Sequence, residues 1–143
     1  MRRPLRIAQI GHPVLRQPTQ ILTREELLSE QMQSFLDDLV ETMREANGAG
    51  LAANQVYQSL RICTVEVRNN PRYPYRPNVP LTILVNPILT PAGDETFVNC
   101  EGCLSVPDLR SQMRRHCEVK VDAWDREGNS ISTVVKGMTA ATY

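Results

Sequence analysis

The sequence has no excess of charge of either sign, because sixteen lysine and arginine residues are matched by sixteen aspartate and glutamate residues. This balance argues against the basic stripe that is typical of nucleic-acid-binding proteins. No apolar run approaches the roughly eighteen residues of a membrane-spanning helix. No apolar segment follows the arginines near the N-terminus, so no signal peptide is expected. We therefore predict a cytoplasmic protein that binds neither nucleic acid nor membrane directly.

Histidine and cysteine are also scarce, with two and four residues respectively. Without a secretory signal, the cysteines are expected to be reduced thiols rather than disulfides. Of the 143 residues, 41% are hydrophobic and 22% are charged, which is ordinary for a globular protein. A chain of this length can bury a substantial core. We predict a single domain over residues 1–143.

Residues 24–46 are predicted to form one long helix. Thr23 and Glu26 have the spacing of a capping box, in which each side chain satisfies a free backbone N–H. Asn47 and Gly48 both tolerate the left-handed conformation that ends many helices. Between these ends, apolar residues recur at spacings of three and four, which indicates one face of an amphipathic helix. They are Leu28, Met32, Phe35, Leu39 and Met43.

After Gln55 the apolar residues alternate with polar ones, as expected of strands. The alternating runs lie at 63–67, 81–85, 119–124 and 131–135, and turn residues between the last two predict a hairpin. The proline-rich residues 69–80 are predicted to form an extended surface loop. The residues after Gly137 are judged too few to form another element. The predicted fold is α+β, with a long N-terminal helix packed on mostly antiparallel sheets.

The sequence GAGLAANQ, from Gly48 to Gln55, joins the helix to the first strands. Gly48 and Gly50 allow positive φ or a close approach of the backbone to a ligand. The amide of Gln55 can donate a hydrogen bond to developing negative charge, as in an oxyanion hole. The same residue types are typical of a helix cap with tight packing, so taken alone they leave the function open.

The sequence EGCLS presents Cys103, whose thiol could be a nucleophile, a metal ligand or a buried structural group. A nucleophile needs a histidine base, and neither His12 nor His116 lies in a local signature for one. A structural zinc site would combine Cys100, Cys103, His116 and Cys117. Adjacent residues of a strand point to opposite faces, which argues against His116 and Cys117 sharing one ion.

Together the two segments resemble the motifs of peptide deformylase. GAGLAANQ matches that family's GxGLAAxQ at every fixed position, and EGCLS matches its second motif without a change. GHPVLR at 11–16, Asn86-Pro87 and DREG at 125–128 are also similar to the family. Order and spacing agree from about Ile7 to Gly137. The chain is identified as a member of this family by its motifs.

The resemblance implies removal of the N-terminal formyl group from formylmethionyl peptides by metal-assisted hydrolysis. Cys103 would be one protein ligand of a divalent metal, iron(II), zinc or nickel, for which a thiolate is a suitable soft ligand. The amide of Gln55 and the backbone N–H of Leu104 would stabilise the oxyanion. A formylated nascent peptide, with the ribosome that presents it, is the implied partner. The residues that would flank the peptide are Gly48, Ala49, Gly50 and Gly102.

The family's third motif, HExxH, supplies two further metal ligands and a general acid/base. It does not occur in this sequence. The resemblance therefore implies a deformylase-like domain truncated at its C-terminus, which binds metal weakly or not at all. Two alternatives stay open: an inactive deformylase-like protein that binds peptide or ribosome, and a small structural zinc protein.

Overall fold

The computed structural model describes residues 4–143 and consists of two antiparallel sheets and a layer of helices. The helices are α1 (Arg24–Leu28), α2 (Glu30–Glu45) and α3 (Gly137–Thr142), with 3-10 turns at Pro13–Leu15 and Ala53–Val56. The strands are β1 (Gly50–Ala52), β2 (Ile62–Val67), β3 (Val79–Pro91), β4 (Thr96–Cys103), β5 (Val106–His116), β6 (Glu118–Trp124) and β7 (Ser130–Lys136). One sheet has the order β1-β2-β3-β6-β7, and β4 pairs with β5 in a separate hairpin.

The prediction of one long N-terminal helix is wrong, because the helix breaks at Ser29. The capping box of Thr23 and Glu26 forms as predicted. Ser29 then takes extended angles (φ −62°, ψ 145°), and its hydroxyl accepts a hydrogen bond from the N–H of Met32, which starts α2. The break turns Leu27 into the core and leaves Leu28 56% exposed. At the far end of α2, Asn47 adopts the expected left-handed conformation, with φ of 54°.

The main core lies between α2 and one face of the five-stranded sheet. Leu36, Leu39 and Met43 of α2 are completely buried there, against a cluster that includes Ile62 and Val85. Burying side chains of this size stabilises the fold by about 2 kcal/mol each. The opposite face of the sheet is also covered, by a second cluster around Leu84 and Val121, the latter also fully buried. The strands predicted at 63–67 and 81–85 are therefore correct, but they face apolar surroundings on both sides.

A side-chain clamp attaches the N-terminal segment to the sheet at Asn86. This residue lies at an irregularity of β3 and has a left-handed φ of 53°. Its Oδ1 accepts a hydrogen bond from the N–H of Leu22 at 2.9 Å, and its Nδ2 donates to the carbonyl of Leu22, also at 2.9 Å. Leu22, which directly precedes the Thr23 cap, is thereby held in the main core.

Two predictions about the connections need correction. The segment 69–80 is not simply a surface loop, because Tyr73 is buried and residues 79–80 already belong to β3. The residues after Gly137 do form an element, the short helix α3, whose Ala140 is buried. Tyr143, which follows α3, packs against the apolar clusters on the second face of the sheet.

The predicted C-terminal hairpin is confirmed, since β6 and β7 pair in register with Val121 opposite Thr133. The β4–β5 hairpin was not predicted. Its strands run from Thr96 paired with His116 at the open end to Cys103 paired with Val106 at the turn. Within residues 4–143, no helix has the length and apolarity needed to cross a membrane.

Candidate active site

A cavity of about 910 Å³ lies between strand β1, the turn of the β4–β5 hairpin and helix α3. Its volume is within the usual range for sites that bind small molecules or short peptides. The structure brings the two motif segments together here, although nearly fifty residues separate them in sequence. The predicted site residues that line it are Gly48, Ala49, Gly50, Gln55, Gly102, Cys103 and Leu104.

Gln55 is held in one orientation by three hydrogen bonds. It lies in the 3-10 turn Ala53–Val56, and its Oε1 accepts from the N–H of Ala52 at 2.9 Å. Because the carbonyl end is fixed in this way, Nε2 points towards the hairpin. It donates to Ser105 Oγ at 3.1 Å and approaches Cys103 Sγ at 3.6 Å. An oxygen atom beside the Cys103 thiol would come within reach of the same N–H.

Cys103 is exposed at the end of β4, directly before the two-residue turn formed by Leu104 and Ser105. The pairing of the hairpin shifts register between Gly102 and Cys103. A shift of this kind re-aims the side chain that follows it. The turn therefore places Cys103 and Leu104 next to each other in the lining of the cavity.

Packing beneath the turn leaves little room for a side chain at position 48. A Cβ atom there would lie 2.7 Å from Leu104 Cδ1, so the Leu104 side chain would have to shift to admit it. The Leu104 side chain fills this space and packs against the main core. The first motif therefore supports the second motif mechanically, in addition to supplying Gln55.

Two further residues of this site were not predicted. Ser105 is buried, accepts the hydrogen bond from Gln55, and offers its carbonyl to the N–H of Ile10 at 2.8 Å. Its place inside EGCLS was the signal that could have identified it. Tyr73 donates from its hydroxyl to the carbonyl of Gly102 at 3.4 Å. Nothing in the spacing of the proline-rich segment indicates this second contact.

Glu101 secures the strand that carries Cys103. Its carboxylate accepts two hydrogen bonds from the guanidinium of Arg115, one of them 2.8 Å from Nε to Oε2, and another from Asn99 at 3.1 Å. Burial alone raises the pKa of Glu101, but the hydrogen bonds and the positive charge of Arg115 outweigh it and hold the pKa below its ordinary value. Glu101 is therefore a structural carboxylate, ionised at neutral pH.

The residues of this chain do not fit a complete catalytic metal centre. Such a centre needs about three protein ligands, and no group of three or more histidine, cysteine or acidic residues that could hold an ion occurs between residues 4 and 143. Cys103 is present as a single soft ligand. His12 is instead the N-cap of the first 3-10 turn, where its Nδ1 accepts from the N–H of Val14.

The structural zinc alternative fails on the same ground. His116 pairs with Thr96 at the open end of the hairpin, whereas Cys103 lies at its turn. Cys103 lies seven positions after Thr96 along β4, which is roughly 23 Å along a strand. Cys100 and Cys103 therefore have no partners in His116 and Cys117 with which to close a tetrahedron.

Comparison with known proteins settles the family. The sequence profile described as polypeptide deformylase matches residues 4–143. The chain belongs to the polypeptide deformylase family. It is 41% identical over 125 residues to peptide deformylase 2 of a Nostoc species, covering 87% of this chain and 69% of the relative. It is 36% identical over 134 residues to peptide deformylase 1 of Nitrosomonas europaea, covering 94% and 75%.

Solved deformylase structures share the fold as well. The crystal structure of a class I type b peptide deformylase from Acinetobacter baumannii with Met-Ala-Ser bound has a TM-score of 0.94 at 37% identity, covering 99% of this chain and 89% of that one. The deformylase of Thermotoga maritima gives a TM-score of 0.85 at 28% identity, covering 98% and 86%. The resemblance inferred from the motifs and the α+β class are therefore confirmed. The family is one of metallohydrolases that remove the formyl group from formylmethionyl peptides.

Proposed function

We propose that the cavity of this deformylase binds an N-formylmethionyl peptide with its formyl carbonyl beside Cys103. The approach of Gln55 Nε2 to within 3.6 Å of Cys103 Sγ is the observation that carries the proposal. A carbonyl oxygen placed there accepts from the Gln55 amide on one side and from the backbone N–H of Leu104 on the other. Two fixed donors of this kind stabilise a tetrahedral oxyanion without reorganisation during the reaction.

The peptide backbone is proposed to pair along β1 as an added strand. β1 pairs with β2 alone and is therefore an edge of the five-stranded sheet. Edge strands offer free N–H and C=O groups to an extended peptide. Gly48, Ala49 and Gly50 keep this edge free of bulky side chains, and Gly102 does the same on the hairpin opposite.

Cys103 is proposed to be this chain's contribution to the metal site of the family. A thiolate suits iron(II), zinc or nickel. One such ligand holds a divalent ion far less firmly than a set of three. We therefore expect the 143 residues on their own to bind metal weakly, and to bind peptide better than they hydrolyse it. A formylated nascent chain in the cytoplasm is the proposed natural ligand, and contact with the ribosome stays a prediction.

The test combines metal analysis, a formate-release assay and peptide binding on the purified 143-residue protein. We expect well under one equivalent of iron, zinc or nickel per chain, and no measurable turnover of formyl-Met-Ala-Ser. Calorimetry should nevertheless detect binding of that peptide, weakened about tenfold by Gln55→Leu, because the hydrogen bond from the amide to the formyl oxygen is lost.

Two results would overturn this assignment. Metal near one equivalent per chain would mean that a ligand set has been missed. Binding that is unaffected by Gln55→Leu would remove the amide from the site. Ser111→Ala is a suitable control, since this exposed residue also lines the cavity but lies on β5, away from Gln55.

A further inference from the structure

One wall of the cavity contains a tyrosine surrounded by three arginines. The guanidinium carbons of Arg72, Arg76 and Arg110 lie 5.5, 4.4 and 4.9 Å from the centroid of the Tyr73 ring. All four residues, which we term the Tyr73 cluster, line the cavity. The negative face of an aromatic ring attracts cations, but it does not neutralise three of them.

Within residues 4–143 the positive charge of the Tyr73 cluster is only partly offset, by Glu101, whose pKa is lowered in part by the charge of Arg76. Among residues 4–143, none of its three arginines forms an ion pair with a carboxylate. Arg76 Nε is buried without a hydrogen-bond partner, while its Nη1 donates to Thr142 Oγ1 at 3.3 Å. Arg110 donates from Nη2 to the carbonyl of Arg72 at 2.7 Å, a contact that tethers the guanidinium without neutralising it.

Other residues that line the cavity add to its excess of positive charge. Its lining includes the five arginines Arg72, Arg76, Arg110, Arg114 and Arg115. Glu101 is the only acidic side chain among the described residues that line it, and Arg115 already takes both of its oxygens. A concave surface with one sign of charge concentrates ligands of the opposite sign.

The cluster is also adjacent to the proposed reaction centre. Tyr73 donates its hydroxyl hydrogen to the carbonyl of Gly102, the residue before Cys103. A Cβ atom at Gly102 would lie 3.2 Å from that hydroxyl and 3.5 Å from Arg72 Nη2. A peptide whose formyl group lies at Cys103 therefore has its N-terminal end close to these guanidinium groups.

We propose that the Tyr73 cluster is a carboxylate-binding subsite, which makes this deformylase favour peptides with a carboxylate beyond the N-terminal methionine. The inference rests on the proposed function, since it requires the peptide to occupy the cavity. Guanidinium groups match carboxylates geometrically through paired N–H donors. The carboxylate belongs either to an aspartate or glutamate side chain or to the C-terminus of a short peptide.

Calorimetric binding of matched peptides tests the subsite without requiring turnover. The peptides to be compared are formyl-Met tetrapeptides with a C-terminal amide, in pairs that differ by aspartate or asparagine at the second, third or fourth position. At one position we expect aspartate to bind about five- to tenfold more tightly than asparagine at low salt, as several partly exposed charge contacts add together. The preference should shrink at 0.5 M salt. Free-acid and amide forms of the all-alanine peptide separate the C-terminal source from the side-chain source.

Variants assign the preference to the cluster. Arg76→Gln and Arg110→Gln should each reduce it to about twofold or less, whereas Arg114→Gln should leave most of it in place. Arg114 lies on the same strand as Arg110 and also lines the cavity, but it donates to Thr96 Oγ1 instead.

The outcomes distinguish the two proposals. If no formylated peptide binds, the proposed function and this inference both fail. If aspartate and asparagine peptides bind alike at every position, and free acid and amide do too, only the subsite is refuted. A preference that survives both cluster variants would also refute it, by placing the recognition elsewhere.

Discussion

The contribution of the Asn86 clamp to the stability of the fold can be measured by substitution. Replacement of Asn86 by alanine removes two hydrogen bonds of 2.9 Å, one to the N–H and one to the carbonyl of Leu22. Each bond contributes about 1 kcal/mol net. Alanine must also adopt the left-handed φ of 53°, which costs roughly 1 kcal/mol more. We expect Asn86→Ala to lower the free energy of unfolding by about 3 kcal/mol.

Glycine at the same position separates the two contributions. Asn86→Gly loses both hydrogen bonds but relieves the backbone strain, so its loss should be nearer 2 kcal/mol. Asn47 is a matched control, because its φ of 54° is almost the same and its backbone carbonyl, not its side chain, accepts the bond from Asn70. Asn47→Ala should therefore show the strain alone, about 1 kcal/mol.

Urea unfolding followed by circular dichroism and by the fluorescence of Trp124 provides the measurement, since coincident transitions indicate two-state behaviour. The reasoning would be refuted if Asn86→Ala lost no more stability than Asn47→Ala. Equal losses of stability in Asn86→Ala and Asn86→Gly would refute the contribution of backbone strain, but not the contribution of the two hydrogen bonds.

Two further predictions concern titratable groups. Because the folded-state pKa of Glu101 is depressed, its ion pair stabilises the protein above the unfolded-state pKa and is lost as the pH falls through the folded value. Glu101→Gln should therefore lower the free energy of unfolding at pH 7 by about 1 kcal/mol, a small amount because the Arg115 side chain is 45% exposed. The variant should also lose less stability than the unaltered protein between pH 6 and pH 3. An unchanged dependence of stability on pH contradicts this prediction. Burial raises the pKa of Cys63 to about 11, so Ellman's reagent at pH 8 should label the two exposed β4 cysteines rapidly and the half-buried Cys63 much more slowly. If the fast phase of labelling is smaller in Cys63→Ser than in the unaltered protein, the Cys63 thiol reacts as fast as the exposed ones, which contradicts the prediction.

The sequence was sufficient for the family and for the elements with strong local signals. The capping box at Thr23 and the alternation in β6 and β7 depend on near neighbours, so they could be predicted without the fold. The break at Ser29 could not be, because an apolar spacing of three and four runs across it without interruption. Only the hydroxyl of Ser29, which caps the second helix, marks the break, and serine is common inside helices as well.

The candidate site was predictable where it consists of motif residues. Gln55, Cys103 and Leu104 were identified by their motifs, and the structure brings them to one cavity. The buried Ser105 was within reach of the same reasoning. Tyr73 was not, because its role depends on how the proline-rich segment folds back on the hairpin, and that contact joins residues almost thirty positions apart.

The folding back of that segment has a consequence for selective inhibition. Tyr73 and Tyr75 donate their hydroxyl hydrogens to the carbonyls of Gly102 and Cys100, so the segment buttresses the hairpin that carries Cys103. A compound designed against the motif residues alone would contact Gln55, Cys103 and their neighbours in the cavity. Residues outside those motifs, including Tyr73 and Arg76, line the cavity as well. Discrimination between deformylases is therefore best sought in this segment, where a chemist can gain contacts without competing for the thiol.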